Sequence, residues 1–298
     1  MGHHHNHGHH HSTGNIKTAF FLNLAFTIIE IIGGFYTNSL AIMSDAVHDL
    51  GDSLSLGMSW YFQKLSNKKA NKRYSYGYGR FSLLGAIINS VVLIIGSVFI
   101  ISEALPRIIY PEHADANGMM WLAILGIIVN GAAVLKLRKG SSINERVVSL
   151  HLFEDVLGWV AVLIASIIMQ FWDVPILDPI LSLLIAGYIL FNVYKNIKEL
   201  FKIILQGVPN EISSDVIKEL LIQLDEVDDI HDCHLWTMDG EFHIATIHLM
   251  IDDKNFTWEK SRTIKDKVKK LLHDQLHLEH VTLELESIYE DCGYKNCN

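Results

Sequence analysis

From Phe81 to Ser102 the chain runs 22 residues without an Asp, Glu, Lys or Arg. Roughly 20 apolar residues in a helix cross the hydrocarbon layer of a bilayer, so a stretch of this length and composition points to a membrane span. Met119–Leu135 is equally free of these charges, and Ile176–Tyr194 holds only Asp178. Ile16–Tyr36 has Lys17 at its edge and Glu30 inside. Two further windows, about 39–63 and 147–172, are long enough but visibly more polar. Six spans are expected.

Half of the 298 residues are hydrophobic, and they concentrate in residues 16–206. From residue 207 onward 20 Asp and Glu face 9 Lys and Arg, a balance of −11, whereas the first 206 residues carry +2. The chain therefore reads as a His-rich tail (1–15), a six-helix transmembrane domain (16–206) and an acidic soluble domain (207–298). That acidity excludes nucleic acid as a natural partner.

Basic residues collect in alternate connections: Lys64, Lys68, Lys69, Lys72, Arg73 and Arg80 after the second span, Lys136, Arg138, Lys139 and Arg146 after the fourth, and Lys195, Lys198 and Lys202 after the sixth. Positive-inside reasoning places both termini in the cytoplasm, and an even number of spans agrees. The N-terminus lacks the basic region and short apolar core of a cleavable signal. All three cysteines, Cys233, Cys292 and Cys297, lie in the soluble part and read as thiols or metal ligands rather than a disulfide framework.

In the soluble part, residues 211–225 and 256–276 show helical spacing of apolar side chains, while 230–238, 242–251 and 281–287 read as strands. Asp239–Gly240 marks a hairpin between the first two strands. The order helix–strand–strand–helix–strand predicts a small ferredoxin-like α+β domain with its helices on one side of a sheet.

The two polar windows hold "SDAVHDLGDS" (44–53) and "SLHLFEDVLG" (149–158). His48 with Asp52, and His151 with Asp155, stand four residues apart and so share a helix face. An ionisable side chain at mid-bilayer costs roughly 2.5–3.5 kcal/mol, which makes four of them hard to keep unless they meet one another or water. Two such helices face to face offer two imidazoles and two carboxylates, a set suited to tetrahedral zinc. A polar packing cluster or a proton relay without metal is the alternative. Spacing alone does not choose between Asp49 and Asp52, or between Glu154 and Asp155. The matching His-x-x-x-Asp in both spans favours Asp52 and Asp155, with Asp45 and Asp49 as candidates for supporting the ligands or lining an access route.

These segments resemble the cation diffusion facilitators, zinc-exporting bacterial type. "SDAVHDLGDS" is similar to their second-span signature, "HLFEDVLG" to the fifth-span His-x-x-x-Asp, and "YSYGYGRFSLL" (74–84) to the segment that opens their third span. The resemblance covers nearly the whole chain. It implies a homodimeric exporter that exchanges cytoplasmic zinc for protons, with transport ligands at His48, Asp52, His151 and Asp155. It further implies metal ligands of the cytoplasmic domain at His234, His248 and Glu286, where zinc would be structural or regulatory. Cys292 and Cys297 resemble a terminal cysteine pair of some members, although Cys-x-x-x-x-Cys stands here in place of Cys-x-x-Cys. His231 and His243 complete the histidines near these positions, whereas His273, His277 and His280 read as surface residues.

Seven histidines in the first eleven residues suggest a metal-collecting tail. No His-Glu-x-x-His or Gly-x-Ser-x-Gly occurs, so an enzyme is not expected. A membrane-bound zinc sensor or receptor without transport is the competing function. Compact loops between spans suggest a bacterial plasma membrane.

Overall fold

A computed structural model of the chain describes residues 12–66, 68–137, 143–252 and 257–289. The His-rich stretch 1–11 and the pair Cys292 and Cys297 lie outside the described residues. Six long helices come first: α1 (Ser12–Thr37), α2 (Leu40–Ser66), α3 (Phe81–Ile109), α4 (Ala116–Leu137), α5 (Ile143–Phe171) and α6 (Leu177–Ile204). A smaller α/β region follows, with α7 (Ser214–Leu221), β1 (Asp229–Thr237), β2 (His243–Ile251), α8 (Trp258–Leu276) and β3 (Leu278–Ser287). By packing the chain divides into two compact units, residues 1–61 with 85–196 and residues 62–84 with 197–298.

Four stretches, Phe81–Ile109, Ala116–Leu135, Leu150–Phe171 and Leu177–Ile204, are long and apolar enough to cross a membrane. Helix α2 falls short of that test because its polar stripe lowers its hydropathy. The helices turn large apolar side chains outward, among them Ile95, Val98, Trp121, Ile128, Leu184 and Phe191. Such an apolar exterior suits lipid and would be a liability in water.

Inside the unit, Phe26, Ile42, Met119, Trp159 and Val162 form the apolar core. Small residues let the helices approach closely, as expected where no hydrophobic effect drives association. A Cβ at Gly51 would stand 2.5 Å from Leu93, and one at Gly96 would stand 2.5 Å from Val47, so α2 and α3 interlock reciprocally. This contact holds the very turn of α2 that carries the polar stripe.

The α1–α2 connection is built around Asn38, whose φ of 52° is the left-handed conformation that Asn tolerates. Arg107 of α3 donates to the Asn38 carbonyl and to its Oδ1, both at 2.9 Å. Asp178, in the first turn of the last span, is buried and caps the start of α2. It accepts from Ser39 Oγ at 2.6 Å, from the Leu40 amide at 2.8 Å and from the Ala41 amide at 3.2 Å. A carboxylate there satisfies amides that have no partner within the helix and complements the helix dipole.

In the C-terminal unit β2 is the central strand, antiparallel to β1 and parallel to β3. The parallel pair needs a crossover, which α8 supplies. Ser213 and Thr257 cap α7 and α8 through their hydroxyls. Along β2 the side chains of Ala245, Ile247, Leu249 and Ile251 are buried. Ala245, Ile247 and Leu249 join Ile217, Leu221, Ile264, Val268 and Leu272 of the helices in one core. Thr246, His248 and Met250 occupy the other face. The hairpin between β1 and β2 turns at Asp239–Gly240, where Gly240 has φ 103°. The first helix is shorter than the 211–225 pattern suggests, because the chain leaves it through successive turns after Ile222. β3 begins earlier than the 281–287 alternation predicts, at Leu278.

Replacing Asp178 with Ala strands a buried hydroxyl and two amides, a loss of about 1–3 kcal/mol. Asp178→Ala is expected to lower the melting temperature of the detergent-solubilised chain, with Asp178→Asn falling between it and the parent. Leu249→Ala, a fully buried truncation at the sheet core, is expected to cost about 2–5 kcal/mol; hydrogen exchange of the β2 amides would report that loss.

Candidate metal centre

Helix α2 lines up Asp45, His48, Asp49 and Asp52 along one stripe, and α5 presents His151, Glu154 and Asp155. The two helices bring both His–Asp pairs together. The His48 and His151 rings stand edge to face, 5.6 Å between centroids. His48 Nε2 lies 3.8 Å from Asp52 Oδ2 and 3.8 Å from Asp155 Oδ1. His151 Nε2 lies 2.6 Å from Asp52 Oδ2, a hydrogen bond across the two helices when that nitrogen bears the proton.

One ligand atom each from His48, His151 and Asp155 fall within 4.8 Å of one another. In a tetrahedron with metal–ligand bonds of about 2.0–2.1 Å the ligand–ligand edge is about 3.3 Å, so these groups would close in by at most about 1.5 Å to meet it. Asp52 adjoins this group through its contact with His151. The imidazole and carboxylate set matches zinc better than the all-oxygen shell that magnesium or calcium prefers.

Spacing left Asp49 and Glu154 as rivals, and the structure turns both away. Glu154 is exposed and accepts from Tyr188 OH of α6 at 3.2 Å. Asp49 is buried on the side of α2 that faces α1, where Asn23 Nδ2 donates to its backbone carbonyl at 3.1 Å. Asp45 is buried too, its Oδ1 3.7 Å from where a Cβ on Gly158 would stand. Partner helix, not spacing, separates these acids.

A second group of ligand atoms lies on the polar face of the C-terminal sheet. His231, His248 and Glu286 each offer an atom within 4.8 Å of the others. His248 Nδ1 lies 2.5 Å from Glu286 Oε1, and His231 Nε2 lies 3.0 Å from Glu286 Oε2. His248 Nε2 also stands 3.4 Å from both Asp232 and Glu284. Of the residues the resemblance implied for this domain, His248 and Glu286 belong to this group. His234 is not in this trio: it is over half exposed and reaches Asp232 at 3.0 Å.

The reason is a bulge in β1 between His231 and His234, with Asp232 at φ 44°. An extra residue in one strand carries His231 opposite His248 and moves His234 along the ladder to Thr246. The sequence holds a sign of this bulge. Ile230 and Leu235 both enter the core, yet they stand an odd number of residues apart, which a strict period of two forbids.

Residues 16–205 match the family model described as the cation efflux transmembrane domain, and residues 209–288 match the one described as the cation efflux protein, cytoplasmic domain. Among curated relatives, the "Cadmium, cobalt and zinc/H(+)-K(+) antiporter" of Bacillus velezensis is 33% identical over 96% of this chain and 92% of its own length. The zinc transporter ZitB of Pectobacterium atrosepticum is 30% identical over 100% of this chain and 92% of its own. The metal cation efflux system protein CzcD of Cupriavidus metallidurans is 30% identical over 96% and 90%. With both parts of its length matched in order, this multi-pass membrane protein belongs to the cation efflux family of metal transporters.

Proposed function

We propose that the chain exports zinc from the cytoplasm in exchange for protons, using His48, Asp52, His151 and Asp155 as the transport site. The observation that carries this reading is the meeting of two imidazoles and two carboxylates from α2 and α5 inside the helical unit. The names of the relatives, a zinc transporter and a cadmium, cobalt and zinc antiporter, support zinc as cargo and antiport as the mode. Four protein ligands leave no open position for a reacting water, which favours carriage over catalysis.

A neutral imidazole binds metal and a protonated one does not, so zinc and protons compete for the same nitrogens. The site facing the cytoplasm loads zinc, and the site facing a more acidic exterior exchanges it for protons. Rocking of the helices about the site provides alternating access.

Helices α1–α6 contain 22 to 29 residues each, enough at about 1.5 Å per residue to reach across a bilayer. They form six spans, with both termini cytoplasmic in a bacterial plasma membrane. The C-terminal domain is ferredoxin-like and cytoplasmic, and it pairs two copies into a homodimer. His231, His248 and Glu286, with His234 and Asp232 at the margin, hold zinc that braces the dimer or reports the cytoplasmic level.

Asp52→Ala in proteoliposomes is expected to reduce zinc-driven proton flux to background; undiminished flux would sink the site assignment. Zinc affinity at the transport site should fall as pH drops, because protons compete with zinc for both imidazoles. His48→Asp with His151→Asp should flatten that dependence in a zinc titration between pH 5.5 and 7.5. In the full chain, His231→Ala should remove one bound zinc per chain while leaving flux in place, whereas His234→Ala should change the count less.

A further inference from the structure

The connection from α2 to α3 carries Lys64, Lys68, Lys69, Lys72, Arg73 and Arg80 and no acid, and neither metal centre uses it. It is folded rather than slack. Asn71 Oδ1 accepts from the Arg73 and Tyr74 amides at 2.8 and 3.0 Å, and Asn71 Nδ2 donates to Tyr78 OH at 2.8 Å. The rings of Tyr74, Tyr78 and Phe81 pack on one another, with centroids between 4.7 and 5.4 Å apart. Gly77, at φ 81°, lies so near the Lys68 carbonyl that a Cβ would stand 3.2 Å from it. This stitching holds Lys72 and Arg73 at an exposed bend of the loop.

The loop is seated on a basic edge of the α/β region. Tyr76 stands edge to face with His280 of β3, 5.3 Å between centroids. His280 in turn lines a surface cleft of about 340 Å³ with Lys269, Lys270 and His273 of α8. Glu279 is the acid on its wall. It faces His273 Nε2 at 4.0 Å, and Asp274 takes the other nitrogen of that ring at 3.4 Å. Among the described residues neither Lys269 nor Lys270, nor any Lys or Arg of the loop, forms an ion pair. Residues 207–298 carry a balance of −11, so acids are plentiful, yet the loop is seated beside lysines. Like charges gathered in this way repel, and an anion among them offsets the repulsion.

The place of the cleft says which anion. Tyr76 is five residues from Phe81, where the apolar stretch Phe81–Ile109 of α3 begins. Five extended residues reach at most about 18 Å, so the cleft edge that Tyr76 touches stands no farther than that from the start of the span, where lipid headgroups lie. Polybasic segments beside a span are drawn to anionic lipid, an attraction that acts over about 8 Å at physiological salt. We propose that the α2–α3 loop and the cleft of Lys269, Lys270, His273 and His280 form a binding surface for the phosphate of an anionic phospholipid. Lys269 and Lys270 hold the phosphate, and Lys72 and Arg73 add to the positive field around it. The bound lipid ties the loop, and through it the ends of α2 and α3, to the α/β region. The surface rests on α3 crossing the bilayer and on neither metal centre.

Full-length protein in mixed micelles of detergent with phosphatidylglycerol or phosphatidylcholine provides the test, retained lipid being counted by native mass spectrometry. The parent is expected to keep at least one more phosphatidylglycerol per chain than a variant combining Lys269→Gln and Lys270→Gln, and to keep phosphatidylglycerol severalfold better than phosphatidylcholine. Equal phosphatidylglycerol counts in parent and variant, or equal retention of the two lipids by the parent, overturns the proposal. Inorganic phosphate at constant ionic strength separates the two sources of phosphate. The lipid should stay bound in its presence, whereas displacement makes the cleft a site for free anions and overturns the lipid assignment. Both lysines are exposed, so their replacement should leave the fold intact. Should it not, the parent decides by salt: its phosphatidylglycerol count should fall severalfold between about 50 and about 300 mM sodium chloride, and a flat response overturns the surface.

Discussion

An imidazole or carboxylate carried into the apolar layer of a membrane protein has to be met by another protein group or by an ion, because little water is there to solvate it. Much of the helical unit is arranged by that constraint. Asp178 is met by the start of α2, where three donors converge on it. His48, Asp52, His151 and Asp155 are met by one another across α2 and α5. Glu154 escapes to the exterior and takes the Tyr188 hydroxyl. Each contact joins two different helices, so satisfying the polar groups also assembles the bundle.

The close approach of helices is the second half of the same design. Gly51 and Gly96 let α2 and α3 interlock, and Gly126 leaves room for the Trp159 indole on α5. With α2 held against α3, and α5 against α4, the two ligand-bearing turns are positioned by packed apolar surface. Rigid packing of this kind holds the His and Asp side chains in a fixed relation to one another.

The C-terminal domain achieves its polar cluster differently, on the face of a sheet. A strict strand would set His231 and His234 on opposite faces, yet the bulge at Asp232 pairs them with His248 and Thr246 and so places both on one face of the sheet. The same irregularity sets Asp232 against His234 and His248. Bulges often re-aim side chains in this way next to functional sites.

The six long helices, the two His-x-x-x-Asp pairs, the helix–strand–strand–helix–strand order and the Asp239–Gly240 turn were legible in the sequence. Each rests on short-range periodicity or local backbone chemistry, which a chain carries with it before it folds. The rivalry of Asp49 with Asp52, and of Glu154 with Asp155, was not legible, because neighbours on one helix differ only in which other helix they face. Nor could spacing reveal that Asp178 caps α2, that Glu30 lies against Asp49, or that His231 rather than His234 joins His248 and Glu286. Those pairings join residues far apart in the chain, and which partner each side chain finds is decided only when the helices and strands pack. Local pattern thus determined what this chain is made of, and tertiary packing decided which of its polar groups meet.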